Sequence, residues 1–245
     1  MVDEKKKIKI LIDTKKLFDM NNIKFFPIHG TLLGFIREKQ ILPWDVDIDI
    51  AVWYSDYFKV INLKKDFEKL GYLFTLGSGK YSHTDISYED LSDNKNPVPF
   101  HIGIDFLAKD SERAVLLKFF DNNILNRKFS NIKKSIGNKN NLFLKKIYNS
   151  INQFFNLIIL FSKNHETFPY FWFEKSKKIK IYGLEFLVPS EYKKFLDLVY
   201  GKNWKTPDKN YTKEKWISNN DAIVNYKIQE KTVKDLWIKR GDIEN

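Results

Sequence analysis

The chain has 245 residues, 43% apolar and 16% aromatic, which is enough for one sizeable hydrophobic core. It has no cysteine, which excludes disulfides and thiolate zinc sites, and its four histidines are too scattered for a compact zinc motif, so any metal has to be held by oxygen. The net charge of +11 is almost all lysine spread along the chain, and charge that diffuse favours a solvated surface over a dedicated nucleic-acid or membrane site.

The opening Met-Val-Asp-Glu-Lys-Lys-Lys has no apolar stretch behind its charges, so no signal peptide is expected and a cytoplasmic location is the default. Residues 4–20 carry Ile8, Leu11, Ile12 and Phe18 on one helical face, an amphipathic first helix that Asn21-Asn22 ends. Ile23 to Ile28 is a short apolar run with Pro27 near its end, a strand leading into His29-Gly30-Thr31. A second helix starts there. Leu32, Leu33, Phe35 and Ile36 pack it, leaving Gly30 and Thr31 to bring backbone and hydroxyl close to an anion at its N-terminus. His29 reads as a hydrogen-bonded neighbour rather than a ligand. Arg37, one or two turns on, suits bidentate phosphate binding, against the plainer alternative of a salt bridge with Glu38.

Pro43 and Trp44 then lead into a strand where Asp45, Asp47 and Asp49 alternate with Val46, Ile48 and Ile50, carboxylates on one face and apolar side chains on the other. Successive acids fall about 6.6 Å apart at their Cα atoms, close enough for side chains to close around one or two cations. Without a cation, raised pKa values would have to relieve their repulsion. Trp44 is assigned to the core, with a stacking surface for a base or sugar as the alternative. Ser55 caps a helix to Leu70, with Val60, Leu63, Phe67 and Leu70 as its buried stripe and Gly71 as its stop. Tyr72 to Leu76 and Tyr81 to Glu89 read as strands joined at Gly77-Ser78-Gly79, and Asn94 to Pro99 as loop. Phe100 to Ala108 is a strand with Ile102, Ile104 and Phe106 on one side and Gly103 and Asp105 on the other. A carboxylate amid such neighbours is costly unless compensated.

Residues 113–128 are expected to be helical and Ser130 to Asn141 a polar connection. From Leu144, the positions Ile147, Tyr148, Ile151, Phe154, Phe155 and Ile158 recur at helical spacing. The apolar end of that helix, Leu157 to Phe161, is far shorter than the roughly 18–20 residues that span a bilayer. Core packing is the expectation and docking on a membrane surface the sharper alternative. Phe168 to Phe173 is assigned to core filling over a pocket for a choline-like cation. Ile179 to Val188 reads as a hairpin around Tyr182-Gly183. Ser190 then caps a helix carrying Tyr192, Phe195, Leu196 and Val199, which Gly201 ends. Residues 202–220 form a loop pinned by Trp204, Tyr211 and Trp216, and a helix over about Asn225 to Lys239 closes the chain.

The string Gly30-Thr31-Leu32-Leu33-Gly34, then Arg37, then Ile41-Leu42-Pro43-Trp44-Asp45-Val46-Asp47-Ile48-Asp49 resembles the signature of the LicD/fukutin family of phosphotransferases, a branch of the nucleotidyltransferase superfamily. A looser likeness runs over Gly183 to Pro207, through Val188-Pro189, Tyr200-Gly201 and Trp204. The resemblance implies a single mixed α/β domain, a nucleotidyltransferase-like sheet over about 1–135 followed by a mainly helical, aromatic-rich part over about 136–245. It implies that Gly30 and Thr31 hold nucleotide phosphates, with Arg37 beside them. It also implies that Asp47, Asp49 and a third carboxylate hold one or two magnesium or manganese ions. Asp105 stands where that third acid is kept, with Asp85 as runner-up; Asp45 is an additional ligand or orients the acceptor or a metal-bound water. Many relatives carry a further acid where this chain has Val46. The implied reaction moves a phosphocholine-type group from a CDP-linked donor to a hydroxyl of a cell-surface glycan of capsule, lipopolysaccharide or teichoic-acid type, at the inner face of the membrane. A polynucleotide or small-molecule nucleotidyltransferase and a non-catalytic glycan-binding relative are the alternatives. With no RNA-binding module in the sequence, nucleic acid is the weaker partner.

Overall fold

The computed structural model describes residues 4–45, 47–75, 84–88, 100–117 and 165–208, together with 229 and 231. In chain order the elements are α1 (Glu4–Met20), β1 (Phe25–Pro27), α2 (His29–Arg37), β2 (Asp47–Trp53), a 3-10 turn (Tyr54–Asp56), α3 (Tyr57–Asn62), α4 (Lys64–Lys69), β3 (Tyr72–Thr75), β4 (Thr84–Tyr88), β5 (His101–Asp110) and β6 (Arg113–Leu117). They continue with β7 (Glu166–Pro169), α5 (Phe171–Glu174), β8 (Lys177–Ile181), β9 (Leu184–Val188) and α6 (Tyr192–Tyr200). The fold is mixed α/β, as the sequence implied.

Seven strands form one mixed sheet in the order β1-β2-β5-β4-β3, with β6 added to β5 and β7 to β6. Among the described residues only β2 and β5 run parallel, Ile48 opposite Ile102, Ile50 opposite Ile104 and Val52 opposite Phe106. Because side chains alternate along each strand, these six residues line one face and bury it against Ile10, Leu11 and Phe18 of α1 and Val60 and Phe67 of α3 and α4. The opposite face, reached through Ala51, Leu107, Ala114 and Leu116, is covered by Leu32 and Leu33 of α2, Trp172 and Phe173 of α5 and Phe195, Leu196 and Val199 of α6. Phe168 stacks on Phe195 at 4.4 Å between ring centroids, so most of the 168–173 aromatics fill core, while Phe171 is exposed.

Several expectations are corrected. The buried stripe of α1 is Lys7, Ile10, Leu11, Thr14 and Phe18, rotated so that Ile8 and Ile12 lie at its margin. The single helix expected from Ser55 to Leu70 is a 3-10 turn and two short helices. A bond from the Leu63 N–H to Val60 O at 3.1 Å tightens the chain between them. Ser55 makes no cap, Leu70 is 44% exposed, and Gly71, at φ 82°, still provides the stop. Residues 113–117 are strand, not helix: Ala114 to Leu117 is buried on both sides, and an unbroken apolar run has no period with which to tell helix from strand. A two-residue turn at Ser111-Glu112, with Ser111 at φ 56°, folds it back on β5.

The hairpin β8–β9 turns at Tyr182-Gly183, both at positive φ as a two-residue hairpin turn requires. Ser190 does not cap α6, whose N-cap position is Glu191; the Ser190 amide donates to Trp172 O instead. Trp204 is buried, and its indole N–H donates to Asp197 Oδ1 at 2.8 Å, pinning the segment after α6. Among the described residues no helix is long and apolar enough to cross a membrane. The expected turn at Gly77-Ser78-Gly79, the loop at 94–99, the remainder of the 113–128 helix, the connection at 130–141, the helix from Leu144, the anchors Tyr211 and Trp216 and the helix over about 225–239 lie outside the described residues, apart from positions 229 and 231.

Candidate active site

The acid-bearing face of the sheet is the face opposite Ile48 and Ile50, so its position follows from the alternation alone. Asp47 pairs with His101, Asp49 with Gly103 and Ala51 with Asp105. Paired residues on parallel strands share a face, which puts Asp47, Asp49 and Asp105 on the same side of adjacent strands. Gly103 is what makes room there. A β-carbon at Gly103 would lie 3.3 Å from Asp49 Oδ1, so the carboxylate rests closer over this position than a side chain there would readily allow. Asp105 is 8% exposed, beside the apolar cluster of Ala51 and Leu107. Across the next strand Asp85 pairs with Gly103, which places the runner-up in the same row as Asp49.

Asp45 departs from the expected alternation. The strand begins at Asp47, and Asp45 belongs to a turn in which its amide donates to Leu42 O at 3.0 Å. Pro43, with no N–H of its own, holds the chain out of the ladder at this point. Freed from the pleat, the Asp45 carboxylate lies against Gly30: a β-carbon there would sit 2.7 Å from Asp45 Oδ2. Val46, between turn and strand, lies outside the described residues.

The same α2 entry fixes Asp49. The Ile28 amide donates to Asp49 O at 3.1 Å, and the Asp49 amide donates to the hydroxyl of Thr31 at 2.8 Å. Thr31 is therefore buried and committed in part to the strand, while Gly30 and Thr31 remain at the start of the helix, where backbone N–H groups lie ahead of the first intrahelical bond, Leu32 N–H to Ile28 O. His29 sits at φ 46° with its Nε2 3.5 Å from Oε2 of the buried Glu166. Arg37, at the far end of α2, pairs with Glu38 at 2.7 Å and donates to Trp204 O at 3.0 Å, fastening the helix to the segment beyond α6.

Two features were missed or misread in the sequence. Lys7, 6% exposed, reaches from α1 into the turn before the acids: its Nζ donates to Asp45 O and, at 3.4 Å, to Pro43 O, and lies 4.9 Å from the Phe100 ring centroid. Burial pushes its pKa below the ordinary lysine value, offset in part by the charges of Asp45, Glu4 and Asp47. A lysine in a Lys-rich helix looks solvated, and only the three-residue offset from Ile10 could have signalled otherwise. Trp44, assigned to core, is 64% exposed, because the turn that lifts Asp45 out of the ladder also carries the indole outward.

The donor set is all oxygen, as a magnesium site requires. Among the described residues no three Asp, Glu, His or Cys side chains are gathered as a ready metal cage. Magnesium does not need one, since it commonly takes one or two carboxylates and completes its shell with water and substrate phosphates. Asp49 beside Gly103, with Asp47 and Asp105 on the same face, fits that mode of binding.

Residues 22–110, which include β2, β5 and the α2 turn, match the model of the LicD/FKTN/FKRP nucleotidyltransferase domain, in support of the resemblance read from the signature. The uncharacterized protein RP689 of Rickettsia prowazekii is 40% identical over 63 residues, 26% of this chain and 24% of that protein. RT0683 of Rickettsia typhi is 36% identical over 74 residues, 29% of this chain and 24% of that protein. The chain thus matches about a quarter of the length of these relatives. Among solved structures, the lincosamide antibiotic adenylyltransferase LnuA with lincomycin bound aligns at TM-score 0.41 and 12% identity, covering 96% of this chain and 98% of that one. The antibiotic-resistance factor ANT(2'')-Ia aligns at TM-score 0.41 and 8% identity, covering 98% and 94%. Overlaps at that level have no bearing on the reaction of this chain.

Proposed function

We propose, from a nucleotidyltransferase domain of the LicD/FKTN/FKRP type over residues 22–110, that this protein is a metal-dependent phosphotransferase. It moves a phosphocholine-type group from a CDP-linked donor to a hydroxyl of a cell-surface glycan. The observation that carries this reading is the register of the two parallel strands, which puts Asp47, Asp49 and Asp105 on one face, with Gly103 beside the Asp49 carboxylate. Asp47, Asp49 and Asp105 would hold magnesium or manganese, which when bound neutralises the donor diphosphate and the departing nucleotide. Gly30 and Thr31 offer backbone N–H groups to the donor phosphates. Arg37, whose Nε pairs with Glu38 at 2.7 Å, would complete the donor-phosphate site. In the transfer, the acceptor oxygen bonds to phosphorus as the bridging P–O bond of the diphosphate breaks, CMP leaves, and the acceptor proton passes to solvent or to Asp45.

The test is incubation with CDP-choline or CDP-glycerol and a surface glycan, followed by mass spectrometry of the glycan, with labelled CTP and RNA as the competing substrates. A glycan mass increase equal to the substituted phosphate supports the reading, and label in RNA alone would replace it with polynucleotide transfer. Asp47→Asn, Asp49→Asn and Asp105→Asn are each expected to abolish turnover with unchanged circular dichroism. Normal turnover in Asp105→Asn moves the third ligand to Asp85. EDTA should inhibit and magnesium restore activity; full activity in chelator contradicts the metal role.

A further inference from the structure

We propose that Trp44 is the platform on which the base of the nucleotide donor stacks, in a turn held by Lys7; this rests on the reading of the site as one that takes a nucleotide donor. Single exposed apolar side chains are ordinary, and Met20 and Leu73 are examples here. Trp44 differs in how its backbone is held. The carbonyls on both sides of it, Pro43 O and Asp45 O, accept hydrogen bonds from one buried ammonium, and the Asp45 amide is tied to Leu42 O. Taking an ammonium out of water is costly, and here those bonds fix the frame of a tryptophan whose ring faces solvent. The frame also has a defined neighbour. Asp45, next in the chain, places its carboxylate on Gly30 in the first turn of α2, and Asp47 begins the acid strand two residues later. An exposed indole on a braced backbone, one residue from the acid that packs on Gly30 and three from the start of the acid strand, is suited to the one flat, apolar surface of a nucleotide, its base.

Stacking on an aromatic side chain is sequence-tolerant and large enough to measure, roughly tenfold or more in affinity when the ring is removed. Calorimetry of CMP and of ribose 5-phosphate, which lacks the base, on wild type, Trp44→Phe and Trp44→Ala reads it directly, in the presence of magnesium and without turnover. Trp44→Ala should weaken CMP by roughly tenfold or more and leave ribose 5-phosphate unchanged, and Trp44→Phe should stay within about threefold of wild type. Because the side chain is exposed, both variants should melt as wild type does, and Lys7→Met should lose CMP affinity in parallel with Trp44→Ala. Equal CMP affinity in wild type and Trp44→Ala, or an equal loss for both ligands, overturns the platform while leaving the donor reading standing. Failure of wild type to bind CMP overturns the donor reading, and the platform with it.

Discussion

At the scale of single residues, Gly103 separates stability from activity. A methyl group there would press on Asp49 Oδ1 at 3.3 Å, a contact tight enough that the carboxylate must give by a few tenths of an ångström. Alanine is otherwise the easier residue in a strand, since glycine costs about 0.5–1 kcal/mol of conformational entropy relative to it. Gly103→Ala should therefore melt at or slightly above the wild-type temperature while turnover falls about ten- to hundredfold, the penalty of a misplaced catalytic group. A variant with unchanged turnover would show that Asp49 is not held where the chemistry needs it. Asp47, Asp49, Asp105 and Gly103 were legible in the sequence because alternation in two strands is enough to put them on one face. Asp45 and Trp44 were not, since the turn at Pro43 breaks the period before the strand starts. Lys7 was hidden by the lysines around it.

At the scale of elements, α1 is joined to β3 by a polar contact among apolar ones. Asp13 accepts from Lys9 Nζ and from the Tyr72 hydroxyl, both at 2.6 Å, linking the helix to β3. Its desolvation is the largest effect on its pKa and acts upward. The hydrogen bonds from Lys9 and Tyr72 and the charges of Lys9 and Lys16 together outweigh it and hold the carboxyl below the ordinary value of 3.8. A carboxyl whose folded pKa is depressed contributes stability above its unfolded pKa and loses that contribution as the pH falls through the folded value. Asp13→Asn should thus cost about 1 kcal/mol at pH 7, and the difference from wild type should shrink as the pH drops below about 4. Urea melts at pH 7 and pH 3 check this, and an equal difference at both would show that the carboxylate's charge contributes nothing. The amphipathic helices α1 and α6 could be read ahead because each has one apolar stripe. β6 could not, since Ala114 to Leu117 is buried on both sides and only the turn at Ser111-Glu112, which leads it back onto β5, determines its state.

At the scale of the molecule, the segment that matches the family model shares both its cores with residues outside it. The core on the Ile48 face needs Ile10, Leu11 and Phe18 from before residue 22 and Ile181 and Phe186 from far beyond residue 110. The core on the acid face is closed mainly from the C-terminal side, by Phe168, Trp172, Phe173, Val188, Phe195, Leu196, Val199 and Trp204. Each large apolar side chain contributes about 1.5–3 kcal/mol when fully buried, and a whole domain retains only about 5–15 kcal/mol of net stability. Ending the chain after Leu117 removes ten of these side chains, more than the margin can absorb, and leaves Leu32, Leu33, Ala51 and Leu107 facing water beside the acids. A fragment of residues 1–117 should bind a hydrophobic dye, lack near-ultraviolet circular dichroism and melt without a cooperative transition, whereas the full chain melts cooperatively. A sharp transition in the fragment would show that the acid-bearing sheet is self-sufficient. The geometry of Asp49 and Asp105 would then not depend on the aromatic layer that the C-terminal segment lays over their face.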